Sequence, residues 1–531
     1  MTGAAGPGRP AGSSSEQRTA TEVLVVPLEP YTARGGPETA SRAGEVASTS
    51  GRASGDAATP LVGHLAIARA AAMLAAGDVV AIPTETVYGL AANALSAEAV
   101  GRVYAAKKRP ADNPLIIHVS SLAMLAALYP PGWTLPPIYQ PLLRDLWPGP
   151  LTVLLPRSPL VPDAVTCGLP TMAVRMPAHP VALALIAACG FPLAAPSANS
   201  SGRPSPTLAR HVAADLGGGV IPLILDGGAC SCGVESTVLD ALRSPPAILR
   251  PGGVTREDLM GYPGLEALQV YRKDFTDAAL EAAPTTPGMK YRHYSPTAPV
   301  ILLDPSAPAA TASAAVATAN GAGRNHSGNG SCDVEGLAAR LRQATKALLA
   351  EMAHGIHEGG APAPSGSAGP AAAPAGPASG HGPGAAGLSP AVDGGASGSS
   401  VPLGPPALEL ASQLAGGGPV GVLRTSLAGE PPGLLQQRAP ATAAAGVGAN
   451  GQADGAGGGS SRGAPAPQRV IEYVLGHVLR PADVAAELFA GLRALDEAGC
   501  AVIVVEGVAD EGAGVAVMNR LRKAASRVVH V

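Results

Sequence analysis

Residues 79–89 read VVAIPTETVYG. The opening apolar run, closed by Pro83, has the pattern of a short buried strand. Thr84, Glu85 and Thr86 follow it directly, so two hydroxyls and a carboxylate emerge at a strand end, where α/β folds collect ligands. A plain polar strand-to-helix turn has the same composition. Upstream, residues 63–76 (GHLAIARAAAMLAA) fit a helix with Leu65, Ala68, Ala72 and Leu74 near one face, closed by Gly77. Downstream, short apolar runs at 115–119, 151–155, 172–175, 193–195, 223–225 and 237–239 are bounded by Pro, Gly or Asp, with helical stretches between several of them. Residues 21–28 (TEVLVVPL) add a β-branched run. This alternation predicts an α/β domain built on one sheet of mixed strand direction.

Beyond residue 298 a second α/β pattern appears. Strands are expected at 300–303, 419–423, 470–475 and 501–506, and helices at 336–352, 482–497 and 514–525, which together make a smaller three-layer domain. The chain of 531 residues carries 68 glycines and 54 prolines, and they are concentrated in interruptions of these patterns. In 361–400, 36 of 40 positions are Ala, Pro, Gly or Ser, too little apolar surface to offset chain entropy. The expected map is a disordered extension at 1–20, a first α/β domain at 21–270 with an insertion at 31–58, a linker at 271–298, and a second domain at 299–531. That second domain holds insertions near 304–332, 354–405 and 426–468.

Several function classes drop out. With 36 basic and 39 acidic residues the net charge is −3, so no global positive field holds a nucleic acid, and any such contact would be local. Six thinly spread cysteines do not form a disulfide framework, and the C-x-C of Cys230 and Cys232 lacks zinc-knuckle spacing, so no metal site is expected. No apolar run is long enough for a membrane span, and residues 1–20 lack the apolar core of a secretory signal. A non-secreted, cytoplasmic protein is expected, with an organellar address left open by Arg and Ser near the amino terminus. None of the six lysines follows a glycine, which excludes a P-loop, and Ala361 stands where a zincin needs histidine.

What remains is a set of cations and small polar residues. Lys107 and Arg109 end a helix expected from Ala97, where cations also serve as a solvated cap. Residues 196–207 (PSANSSGRPSPT) can wrap phosphate with hydroxyls and N–H groups or form an ordinary surface loop. Arg175, in AVRMP, and Arg250, in ILRPG, sit in apolar runs that bury their stems, so each needs an anionic partner, from ligand or protein. Together these residues point to a pocket for a ligand with several negative charges, such as a nucleoside triphosphate beside a carboxylate.

The same segments resemble the threonylcarbamoyl-AMP synthase family, with its YrdC-like domain, in its long two-domain form. The likeness rests on PTETVYGL (83–90), the K-x-R of Lys107 and Arg109, RPADNPLIIHV (109–119), WPGPLTVLL (147–155) and TMAVRMPAHP (171–180). It continues through the S-x-N of Ser197 and Asn199, RPSPT (203–207), GVESTVLD (233–240), LRPG (249–252) and PGMKYRHYSP (287–296), and reaches PADVAAELFAGLRALDEAGCAVIVVE (481–506).

The resemblance implies a twisted mixed-sheet catalytic domain with a concave active-site surface and a Rossmann-like carboxy-terminal domain. It implies synthesis of L-threonylcarbamoyladenylate and pyrophosphate from L-threonine, bicarbonate and ATP. The product would serve t6A formation at tRNA position 37 through a downstream tRNA threonylcarbamoyltransferase complex. Threonine contacts fall on Thr86, His118, Arg175, Ala195 and Ser236. Nucleotide contacts fall on Arg109, Asn113, Thr171, Ser197, Asn199, Ser205, Arg250 and Tyr294, with Lys107 and Arg109 offsetting charge as pyrophosphate leaves and Mg2+ on the phosphates. A weak contact with tRNA or other double-stranded RNA belongs to the same picture. The linker motif, too polar and aromatic for a spacer, is expected over the mouth of the pocket. Two alternatives compete: a carbamoyltransferase of the hydrogenase-maturation type, opposed by the missing C-x-x-C, and a non-catalytic RNA-binding protein.

Overall fold

The computed structural model describes residues 20–27, 58–277, 293–306, 334–358, 418–435 and 469–531. The chain divides into one compact unit made of Met1–Thr345 with Pro419–Val531, and another, Lys346–Gly418. The sites below all lie in the first unit. The expected extension at 1–20 falls outside the described residues except for Ala20, as do the low-complexity run 361–400 and linker residues 278–292.

The amino-terminal domain runs β1 (Glu22–Val25), α1 (Ala58–Ala75), β2 (Val80–Ile82), β3 (Gly89–Asn93), α2 (Ala97–Lys107), β4 (Ile116–His118), α3 (Leu122–Ala126), α4 (Tyr139–Leu146), β5 (Leu151–Pro156), α5 (Asp163–Thr166), β6 (Thr171–Arg175), α6 (Pro180–Cys189), β7 (Leu193–Ala194), α7 (Ala209–Leu216), β8 (Leu223–Asp226), β9 (Thr237–Asp240), β10 (Ala247–Arg250), α8 (Arg256–Met260) and β11 (Gln269–Val270). Its strands form one sheet in the order β1-β8-β2-β3-β7-β4-β6-β5-β9-β10-β11. Pairing is mixed: β4 with β6 is parallel, while β3 with β7 and β5 with β6 are antiparallel. Helices on the sheet bury fully excluded side chains such as Leu74, Ile82, Leu90, Ile117, Val153 and Leu185. Each such aliphatic side chain contributes roughly 1.5–3 kcal/mol of burial free energy.

The second domain runs β12 (Val300–Asp304), α9 (Val334–Glu358), β13 (Val420–Arg424), β14 (Gly433–Leu434), β15 (Val470–Val474), α10 (Pro481–Glu497), β16 (Val502–Glu506), α11 (Ala513–Ala524) and β17 (Arg527–His530). Its sheet order is β14-β15-β13-β16-β12-β17, parallel except at the β14 edge. Parallel neighbours require crossover connections, which α9, α10 and α11 provide. Burial on both faces explains why β12, β13 and β16 read as continuous apolar runs.

Some expectations need correction. On α1 the buried side chains are Ala66, Ile67, Ala70, Ala71 and Leu74, whereas Leu65, Ala68 and Ala72 are exposed. In an alanine-rich helix apolar residues occur on every face, so periodicity does not single one out. The first insertion ends by residue 57, since α1 begins at Ala58, and α9 carries on to Glu358, inside the insertion expected near 354. Strand β12 includes Asp304, and Ser306 binds its carboxylate. Ser426, expected in an insertion, is fully buried, and β14 pairs with β15. The linker expected from 271 starts later, because Tyr271 is buried and its ring stands 5.6 Å from that of Phe275.

Candidate functional site

Strand ends converge on one cleft. His118 closes β4 and Arg175 closes β6 as register partners in the parallel ladder, and Ala195 follows β7, which pairs with β4. The turn from β2 to β3 supplies Thr84 and Thr86. Thr84 Oγ1 accepts from the N–H groups of Thr86 and Val87, both at 3.2 Å, and donates to the Val87 carbonyl at 2.6 Å. A threonine in this role fixes the turn locally. From the other side, Ser236 precedes β9, and Arg250 ends β10. Gly252 lets these segments approach: a Cβ there would stand 2.3 Å from the Glu235 carbonyl oxygen and from Thr237 N.

The cleft is lined by Thr84, Thr86, Val87, Gly89, Arg109, Ile116, His118, Arg175, Ala195, Pro196, Ser197, Glu235, Ser236, Arg250, His293 and Tyr294. Nine of the expected site residues therefore meet: Thr86, Arg109, His118, Arg175, Ala195, Ser197, Ser236, Arg250 and Tyr294. Lys107, Asn113, Thr171, Asn199 and Ser205 are not on its wall. Lys107, Asn113, Asn199 and Ser205 lie in its support, whereas Thr171 begins β6, at the opposite end of the strand from Arg175. Lys107, 2% exposed, does not serve as a solvated cap; its Nζ donates to the carbonyls of Ser197 and Asn199. Ser205 donates to Glu235 at 2.5 Å. Asn113 Oδ1, Thr171 Oγ1 and Asn199 Oδ1 are buried polar atoms without a protein partner. Such orphans are costly unless something else fills them.

The anionic partner that Arg175 required is within the protein. Its NH2 lies 2.5 Å from Glu85 Oε1, its NH1 donates to Thr86 Oγ1 at 2.8 Å and its Nε to the Gly149 carbonyl at 3.1 Å. Arg250 donates to the Ser236 carbonyl through Nε at 3.1 Å and NH2 at 3.0 Å. Burial lowers the Arg250 pKa to about 10, opposed by Tyr294 and Glu235. Burial and the neighbouring Arg175 push His118 down to about 3, so the imidazole is neutral at neutral pH, with Nδ1 placed 3.1 Å from the Ile116 carbonyl. Burial depresses Lys107 well below the usual lysine range, and Arg109 adds to the effect.

Two carboxylates, Glu235 and Asp215, and two carboxy-terminal arginines, Arg520 and Arg493, join the site although no role was expected for them. Glu235 is buried; burial alone would raise its pKa, but Arg520 and Arg250 hold it below the usual range. Arg520, on α11, reaches it with Nε at 3.1 Å from Oε2. Arg493, on α10, binds Asp215 at 2.7 Å and the Pro204 carbonyl, while Asp215 caps the loop at Ser200 N. The second domain thus holds the back of the 196–207 loop. Gly233 has φ +71, and a Cβ there would stand 2.4 Å from Ala486 Cα, a close domain contact that admits no side chain. The end of the linker enters the cleft: Tyr294, at φ +66, is 4% exposed, its ring 5.2 Å from Phe489 of α10, and Ser295 N donates to the Gly202 carbonyl at 2.8 Å. With His293 and Tyr294 in place the cleft volume is about 50 Å³. That is well below the ~300–1,000 Å³ of sites for larger ligands.

A mixed-sheet domain with a cation-lined cleft at its strand ends, backed by a mostly parallel module, defines a two-domain protein of the YrdC-like class. Family models agree: one described as "Telomere recombination" (Sua5_yciO_yrdC) matches residues 72–252, and "Threonylcarbamoyl-AMP synthase, C-terminal domain" matches 254–358 and 410–526. The threonylcarbamoyl-AMP synthase of Schizosaccharomyces pombe is 54% identical over 244 residues, 42% of this chain and 60% of that one. The Bacillus subtilis protein of that name is 48% identical over 241 residues, 45% of this chain and 67% of that one. The crystal structure of Pyrococcus abyssi Sua5 complexed with L-threonine matches with a TM-score of 0.54 and 33% identity, covering 88% of this chain and 96% of that chain. The chain belongs to the threonylcarbamoyl-AMP synthase family.

Proposed function

We propose that the protein makes L-threonylcarbamoyladenylate from L-threonine, bicarbonate and ATP. The observation that carries this reading is the cleft's lining, where Thr86, His118, Arg175, Ala195 and Ser236 meet Arg109, Ser197, Arg250 and Tyr294 around one space. The first group suits an amino acid, with Arg175 pairing its carboxylate and Thr86 and Ser236 its polar atoms. The second suits a nucleotide, whose phosphates the Arg109 and Arg250 guanidinium groups can pair. Threonine's free amine attacks the carbon of bicarbonate, water leaves, and a carbamate oxygen then attacks the α-phosphorus as the bond to the pyrophosphate oxygen breaks. Neutral His118 offers the amine no competing positive charge, and the Arg109 guanidinium offsets charge on the departing pyrophosphate. Lys107 positions the Ser197–Asn199 segment through its carbonyls.

The described residues hold no cluster of three His, Cys, Asp or Glu side chains that could take a metal ion, and Glu235 of the cleft and Glu85 behind it face arginines. They do not form a protein cradle for a divalent ion. Mg2+ belongs to this reading only as the partner of ATP in solution. In the same reading His293 and Tyr294 withdraw to admit ATP and close again to exclude water from the labile adenylate. Delivery of the adenylate to a tRNA threonylcarbamoyltransferase complex, a weak RNA contact and a cytoplasmic location extend the proposal; they rest on the family resemblance and on composition. The match to the carboxy-terminal synthase domain weighs against the hydrogenase-maturation alternative. The test is pyrophosphate release by the full chain: it should require ATP, threonine and bicarbonate together, and release independent of threonine would defeat the reading.

A further inference from the structure

A second cavity, of about 300 Å³, opens between the turn after β11 and helix α11, and no part of the proposed chemistry uses it. Among the described residues its wall carries Arg272, Lys273, Arg522 and Lys523, with one carboxylate, Asp510. That carboxylate takes Arg522 NH1 at 2.8 Å, and Lys273 Nζ reaches the Asp510 carbonyl at 2.6 Å. The turn is built to hold cations side by side: Arg272 N donates to the Phe275 carbonyl at 2.8 Å, and Arg272 adopts φ +64. Opposite, Lys523 Nζ donates to Asn519 Oδ1 at 3.1 Å, one helical turn earlier.

We propose that this seam is a second anion site, taking a small phosphate-bearing ligand distinct from the nucleotide in the cleft. Arg522 is held by Asp304, with Nε at 2.9 Å, and by Asp510, so Arg272, Lys273 and Lys523 supply the site's charge, and guanidinium and ammonium groups match a phosphate dianion better than a monovalent carboxylate. Burial, and then the neighbouring Arg520, Arg272 and Arg250, push Lys523 down to about 7, a crowding of like charge that a dianion relieves. The site also shares structure with the cleft. Pro251, on the cavity wall, follows Arg250 of the cleft, and Arg520, one turn before Lys523, binds both the Pro251 carbonyl and Glu235.

The test is calorimetric titration of the full chain with inorganic phosphate and, separately, pyrophosphate. The proteins compared are the wild type, R109A and the exposed pair R272A/K273A, with K523M as a further variant. R109A should keep one phosphate-binding event, and R272A/K273A should weaken it by about 10- to 150-fold, as loss of charge-assisted contacts does. Tighter binding of pyrophosphate would assign the site to that product, and tighter binding of inorganic phosphate to the free ion. Identical isotherms for wild type and R272A/K273A, or loss of all binding in R109A, would overturn the proposal. Folding of each variant is checked by its melting curve, and the exposed pair carries the test if K523M does not fold.

Discussion

Arg520 of the carboxy-terminal domain and Glu235 of the catalytic cleft form a buried ion pair, Nε to Oε2 at 3.1 Å, although they stand 285 residues apart in the chain. The same carboxylate accepts from Ser205, and the same guanidinium lies 5.9 Å from the Tyr294 ring centroid. The second domain therefore helps Arg250 and Ser205 hold a buried cleft carboxylate below its usual pKa range.

Removing one partner of such a pair leaves the other charge buried and uncompensated, at about 3–5 kcal/mol. R520M is expected to lower the melting temperature and to raise the Michaelis constant for ATP, with R520K restoring part of both. Thermal melts and initial rates at varied ATP check this; wild-type values for R520M in both would contradict it.

Arg175 supports a different expectation. If it pairs the threonine carboxylate, R175A should weaken threonine binding by roughly 10- to 150-fold, the worth of a charge-assisted contact, and ATP binding far less. Equal losses for the two ligands, measured by titration, would remove Arg175 from the amino-acid side. Glu85 already faces this guanidinium at 2.5 Å.

Lys107 acts in this account by position. K107M deletes an ammonium that burial disfavours, but leaving its acceptors unpaired costs about 1–3 kcal/mol, so melting should fall modestly. The Ser197 and Asn199 carbonyls lose their donor, and misplacement of this kind costs about 100-fold in rate. Full turnover in K107M would show that the tie does not matter.

Acid should destabilise the fold through its buried imidazoles. His118 and His211 are pushed down to about 3 and His293 to about 4, in each case mainly by burial. Below about pH 6.5 the unfolded chain binds protons that the folded chain refuses, so stability falls as pH drops from there toward 4. Each such histidine contributes about 1.4 kcal/mol per pH unit across that window. Chemical denaturation between pH 7 and 4.5 should therefore show a shallower slope for H118N than for wild type.

The β-branched strands and the polar residues at their ends were legible because burial and strand geometry act on neighbouring positions. Strand β3, GLAAN, was not: it is central and buried but has no β-branched residue, so its strand state comes from its partners. Strands β10 and β11 were missed as well, and β14 and β17 are short edges whose pairing no local pattern announces. Within the site, Arg175 and Arg250 stood out as cations in apolar runs, and the structure buries both. Their surroundings did not stand out. Arg493 meets Asp215 across 278 residues, a contact set by domain packing and carried by side chains of ordinary helix composition. The orphaned atoms of Asn113, Thr171 and Asn199 likewise become visible only when burial is known.

The central claim is that one cleft joins a threonine carbamate to an adenylate. The direct measurement is mass spectrometry of the full chain incubated with ATP, L-threonine and 13C-labelled bicarbonate, quenched early because the product is labile. The account predicts a threonylcarbamoyladenylate carrying one labelled carbon, absent when threonine is omitted and strongly reduced in R175A and R109A. A folded protein that binds ATP and threonine yet forms no labelled adenylate would contradict it.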